Sequence, residues 1–116
     1  MKHALLLLVL SSVAAAAPLP FIPASTLRYE LTAAELMEDC RSAKKRAESS
    51  LEAVARMPAG SRTFENTPWA LDQIASGLSD ETASDTFLKY VSISSAVRDA
   101  GNDCETLLGQ FSVDMY

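Results

Sequence analysis

The sequence predicts an all-α fold: three amphipathic helices running up, down and up as one helical layer, after a cleaved signal peptide. Three observations carry this. Apolar residues recur at spacings of three and four along two long stretches. Each helical stretch follows a Ser/Thr start signal. Every patterned stretch has the helical period, so no sheet is available for the helices to cover. At 116 residues, with 48% apolar residues, the chain is one domain at most and too short for a full-size enzyme.

Met1-Lys2-His3 precedes the apolar block Ala4 to Leu10, and Ser11-Ser12-Val13 with Ala14 to Ala17 lead into Pro18. A positive start, a short apolar block and small residues at the exit describe a secretory signal peptide, residues 1–16, with cleavage after Ala16. The apolar run is interrupted by serines and falls short of the ~18–20 residues that span a bilayer. The expected location is therefore secreted, or within the secretory pathway, with no membrane contact after cleavage. Residues 17–31 form a Pro-rich linker. Pro18, Pro20 and Pro23 each fix their own φ and remove a donor, so Leu19 to Thr26 should be extended.

The helical region, residues 32–116, opens on Thr32-Ala33-Ala34-Glu35, a capping box in which Thr and Glu satisfy each other's backbone amides. Leu36, Cys40, Ala43, Ala47, Leu51 and Val54 then lay one apolar stripe along the first helix, which Pro58 and Gly60 stop. Within it, Lys44-Lys45-Arg46 sits among acidic residues. This run reads as a solvated helix face and not as a precursor processing site, because a stable helix hides its backbone from a protease. Asn66-Thr67-Pro68 starts the second helix, with Thr67 as N-cap and Pro68 at N1. Trp69, Leu71, Ile74, Ala75 and Leu78 follow on one side, with Trp69 expected in the core. Phe87, Leu88 and Val91 resume the face, predicting one long helix to Tyr90 or Val91, with any kink near Gly77. Ser92 to Ser95 cap a third helix whose stripe is Ile93, Val97, Ala100, Cys104, Leu107, Phe111 and Met115. No Gly, Pro or Asn terminator follows, so the last helix is expected to be cut in mid-turn by truncation. Three such stripes in one layer would leave some apolar surface exposed.

Composition excludes several chemistries. The formal charge is −5 from 10 basic and 15 acidic residues, and loss of Lys2 makes it −6. Nucleic acid would require a basic face, so it is not an expected partner. The one histidine, His3, lies in the signal peptide, so the mature chain has no imidazole base, His ligand or His-paired nucleophile. Adjacent carboxylates such as Glu38-Asp39 and Asp80-Glu81 do not share a helix face and make no acid/base pair. Gly-rich phosphate loops, clustered metal spacings and calcium loops are likewise missing from the sequence. No catalytic residue, metal ligand or cofactor is assigned to this chain.

Cys40 and Cys104 are the two cysteines, and export favours pairing. If the first and third helices run parallel and touch, Cys40 lies roughly 12 Å and Cys104 about 14–18 Å along their axes, close to the same height. If the middle helix lies between them, the two remain buried thiols. Spacing alone leaves both arrangements open.

Four blocks in order carry a family resemblance. They are Arg62-Thr63-Phe64-Glu65-Asn66-Thr67-Pro68-Trp69-Ala70-Leu71-Asp72, then Phe87-Leu88-Lys89-Tyr90-Val91-Ser92, then Val97-Arg98-Asp99-Ala100, and finally Phe111-Ser112-Val113-Asp114-Met115-Tyr116. Over about residues 30–116 the chain resembles the amino-terminal, non-catalytic helical region of the thimet oligopeptidase and oligopeptidase A family of zinc metallopeptidases. The resemblance implies a longer, mostly helical enzyme whose two lobes enclose a channel for short peptides. Its zinc would be held by a His-Glu-x-x-His helix and a later Glu, none of which this chain contains. By this resemblance the chain would wall part of the channel, be inert alone, and have the missing catalytic lobe as partner. The alternative is an independent small secreted helical interaction protein or a processed peptide precursor.

Overall fold

A computed structural model describes residues 28–115 of the chain. The signal peptide of residues 1–16 and the Pro-rich stretch of residues 17–27 lie outside the described residues. Four α-helices follow one another: α1 (Ala33–Ala55), α2 (Pro68–Glu81), α3 (Ala83–Val91) and α4 (Ser95–Asp114), with a single 3-10 turn at Ala59–Ser61. Among the described residues there is no strand, so the all-α class stands.

The start of α1 follows from its first four residues. Thr32 Oγ1 accepts from the Glu35 N–H at 3.2 Å, and Glu35 Oε2 accepts from the Thr32 N–H at 2.8 Å. Leu36, Cys40, Ala43 and Ala47 are buried along the expected stripe, and Leu51 and Val54 are half-buried. At the other end the Arg56 N–H donates to Glu52 and Val54 carbonyls before Pro58 ends the helix. Arg62 turns back on this end, its Nε donating to the Met57 carbonyl at 3.2 Å and its Nη2 to that of Ala55 at 3.5 Å. A guanidinium on the free carbonyls of a helix C-terminus satisfies them and offsets the negative end of the dipole.

The middle stroke departs from the expected single helix. It breaks at Thr82, which belongs to neither α2 nor α3 and has φ −101° and ψ 7°. The Thr82 hydroxyl donates to the Leu78 carbonyl at 2.8 Å, sharing an acceptor with its own N–H at 3.1 Å. Back-bonding of this kind bends helices. Gly77, where a kink was expected, lies within the uninterrupted α2.

The strokes pack through two clusters, and these fix their directions. Leu31, just before α1, and Leu36 and Cys40 from its start meet Val97, Ala100 and Cys104 from the start of α4, together with Leu88 of α3. Ala47 from the later part of α1 meets Phe111 from the later part of α4 and Ile74 of α2. Helices α1 and α4 are therefore parallel neighbours, and the α2–α3 arm runs antiparallel to both. Contacts of the arm are divided: α2 packs chiefly on α1, α3 chiefly on α4. The joint at Thr82 is where the arm changes partner. Gly101 permits the close approach of α3 to α4, since a Cβ there would stand 2.9 Å from Lys89 Cβ and N.

Candidate functional site

The described residues present no catalytic constellation, so each sequence candidate is located in turn. Cys40 and Cys104 face one another across the α1–α4 seam, both fully buried, and form a disulfide with a Cα–Cα distance of 5.9 Å. The competing arrangement, with the middle helix between them, fails because α2 and α3 lie to one side of the α1–α4 pair. Thr32 and Glu35 form the reciprocal cap described above. Its effect is electrostatic as well as local: the Thr32 N–H and hydroxyl, with Arg28 nearby, hold the Glu35 carboxyl below the usual carboxylate range.

Thr67 and Pro68 hold the expected N-cap and first-turn positions, and the difference lies in the capping bond. The Thr67 side chain makes none. Its hydroxyl instead donates to Asn66 Oδ1 at 3.0 Å, and a φ of −127° with a ψ of −87° keeps it off the capping geometry. Asn66 organises the joint. Its Oδ1 accepts from the Thr63 N–H at 2.8 Å, and its Nδ2 donates to the Ser61 carbonyl at 2.8 Å. Thr63 also helps hold Glu65 below its ordinary carboxylate pKa, after that residue's own backbone N–H. Asn between two Thr residues was the sequence signal for this joint, read there only as a helix start.

Two other expectations are corrected by burial. Trp69 is 51% exposed, not core, because α2 turns only its Ile74 line toward α1. Ile93 is 101% exposed and lies off the α4 stripe, since it precedes the Ser94 cap in the α3–α4 corner. That corner is held by Arg98, whose Nη1 donates to the carbonyls of Ser92 at 2.8 Å and Ile93 at 3.2 Å. The Lys44-Lys45-Arg46 run lies in the middle of α1. Lys44 sits 5.0 Å over the Phe111 ring and pairs with Glu48, while Arg46 pairs with Glu81.

What remains is a surface. Phe64, Trp69, Leu71, Phe87, Tyr90, Val91 and Val113 are large apolar side chains left in solvent. Between the arm and α4, on the side away from α1, runs an open groove of about 560 Å³ lined by Leu78, Phe87, Leu108, Gly109 and Met115. Lys89 crosses one end of the groove to pair with Glu105, an interaction that raises the lysine's pKa, with Tyr90 adding to the effect.

One buried titratable group stands apart from this surface. Asp85, in the first turn of α3, is 3% exposed. Burial, and then the Asp39 carboxylate on α1, raise its pKa from 3.8 to about 6, while Arg28 acts in the opposite direction. No family description, no curated protein and no solved structure matches this chain.

Among the described residues no three His, Cys, Asp or Glu side chains converge to hold a metal ion. Both cysteines are consumed by the disulfide, and His3 lies outside the described residues. The described residues do not fit a zinc site.

Proposed function

We propose that this chain is the amino-terminal helical region of a secreted thimet-type zinc metallo-oligopeptidase, part of the wall of a channel that admits short peptides. The carrying observation is which apolar residues stay exposed. Phe64, Trp69 and Leu71, then Phe87, Tyr90 and Val91, and then Val113 belong to the sequence blocks that resemble the family, with Tyr29 and Ile93 the exposed large apolar residues outside them, whereas most of the buried core lies outside the blocks. A residue type that a family pattern demands, yet that this bundle does not bury, is accounted for by a further lobe that covers it. Zinc and the His-Glu-x-x-His helix would belong to that lobe, and the present residues would supply shape and docking surface, not chemistry. On this reading the chain alone neither binds metal nor cleaves peptides.

The rival is a self-standing secreted helical interaction protein, and it draws support from the Cys40–Cys104 bridge and the closed core around it. Sequencing the transcript beyond the Tyr116 codon separates the two. An in-frame His-Glu-x-x-His supports the oligopeptidase; a native stop codon directly after Tyr116 overturns it in favour of the independent module.

A further inference from the structure

We propose that α3 is an acid-set latch: protonated Asp85 clamps α3 onto α1 and α4, and its ionisation lets α3 open about the Thr82 joint. The placement of Asp85 is the starting point. It lies three residues after the break, on the inner face of α3 beside the buried Ser84 and Leu88. At the same level the α3 backbone is pressed against α4, where the Asp85 carbonyl oxygen would stand 3.2 Å from a Cβ at Gly101. A carboxylate formed here would lose most of its water, since the residue is 3% exposed, and no hydrogen bond contributes to holding its charge.

The charges around it make ionisation harder still. From α1 it faces Asp39, a like charge. Asp39 is itself held by Arg28 of the segment before α1, whose Nη1 donates to Asp39 Oδ2 at 2.8 Å while its Nη2 stands 4.0 Å from Glu35 Oε1. Among the described residues Arg28 is the cation that acts on Asp85, and it is also paired with Asp39. Within α3, Lys89 lies one turn on but pairs with Glu105 of α4. From α2, Glu81 is taken up by Arg46. On α4, Arg98 is bound to the corner carbonyls, and Asp99 and Asp103 point to solvent.

The sign follows from linkage. A carboxyl whose pKa is raised in the folded state binds its proton more tightly there than in the open state. The stabilisation is therefore greatest at acid pH and is lost as pH rises through the window between about 4 and 6. Short helices joined at a back-bonded threonine are the segments expected to open first. Most of the arm's contact with α4 is made by α3, so its opening would release the Lys89 end of the groove without unpacking the stapled α1–α4 pair.

The test is amide hydrogen exchange on the disulfide-bonded chain, corrected for intrinsic rates, with ¹³C titration of the Asp85 carboxyl. Exchange across Ala83–Val91 should slow about tenfold from pH 7 to pH 5, with α1 and α4 unchanged. Asp85→Asn should keep α3 in the slow state at both pH values. Asp39→Asn should lower the midpoint and Arg28→Gln should raise it. Should Asp85→Asn not fold, the wild-type titration decides alone: a midpoint near 6 supports the latch, and one near 4 overturns it. Protection of α3 that does not change between pH 7 and 5, or a pH dependence that survives in Asp85→Asn, would equally overturn it.

Discussion

At the scale of single residues, the four glycines illustrate how position governs consequence. Gly77 sits within α2 with open space where a Cβ would go, whereas Gly101 sits against the Lys89 backbone. Gly77→Ala should therefore stabilise the chain by about 0.5–1 kcal/mol, through the lower entropy of the unfolded state. Gly101→Ala should cost about 1–3 kcal/mol, because the clash is with a backbone nitrogen and a Cβ that cannot swing away. Urea unfolding of the two variants side by side checks both signs. Sequence pattern could not single out Gly101: its neighbour across the contact is twelve residues away, and a glycine inside a helical stripe reads only as a weak point.

At the scale of elements, the two helix starts that look alike in sequence differ in strength. Thr32 makes a complete capping box, and Thr67 makes no capping bond at all. Thr32→Ala should cost about 1 kcal/mol. Thr67→Ala should change stability by less than about 0.5 kcal/mol, as a substitution away from any cap. Asn66→Ala should cost about 0.5–1.5 kcal/mol, since it removes the bonds to the Thr63 N–H and the Ser61 carbonyl, which water can replace only in part. Thermal unfolding of the three variants should rank them accordingly. The break at Thr82 belongs to the same scale. No Gly or Pro in Ser79 to Ala83 breaks the helix by itself; the Thr82 back-bond bends it where the arm passes from α1 to α4.

At the scale of the whole molecule, the Cys40–Cys104 bridge closes 64 residues of chain, which contain the entire arm. Cross-linking a loop of that size constrains the unfolded chain by about 4 kcal/mol. Unfolding in urea with and without a dithiol should show a loss of that order on reduction, with α1 and α4 still helical in dilute buffer. A second expectation concerns the surface. The oxidised chain should bind an apolar dye while still unfolding cooperatively, because its exposed aromatics lie outside a core that is closed by the bridge. Substituting Phe87→Ser and Tyr90→Ser together should reduce the dye signal without a matching loss of stability. Dialysed protein should hold less than one zinc per chain and should not turn over a quenched peptide; a stoichiometric zinc or chelator-sensitive cleavage would contradict this.

The sequence by itself determined the helical class, the α1 stripe from Leu36 to Ala47, the Thr32–Glu35 cap and the α4 line from Val97 to Phe111. These are local properties, set by the 3.6-residue period and by hydrogen bonds between residues three or four apart. It also bounded the chemistry, since a chain whose one imidazole is at residue 3 cannot assemble a histidine site elsewhere. Tertiary structure decided the rest. That Cys40 meets Cys104 depends on α1 and α4 being neighbours, which no spacing along the chain encodes. The burial of Asp85 and the exposure of Trp69 both depend on which face of the arm meets the other helices. Such properties arise from residues distant in sequence competing for the same interior volume, and that competition is settled only when the helices pack.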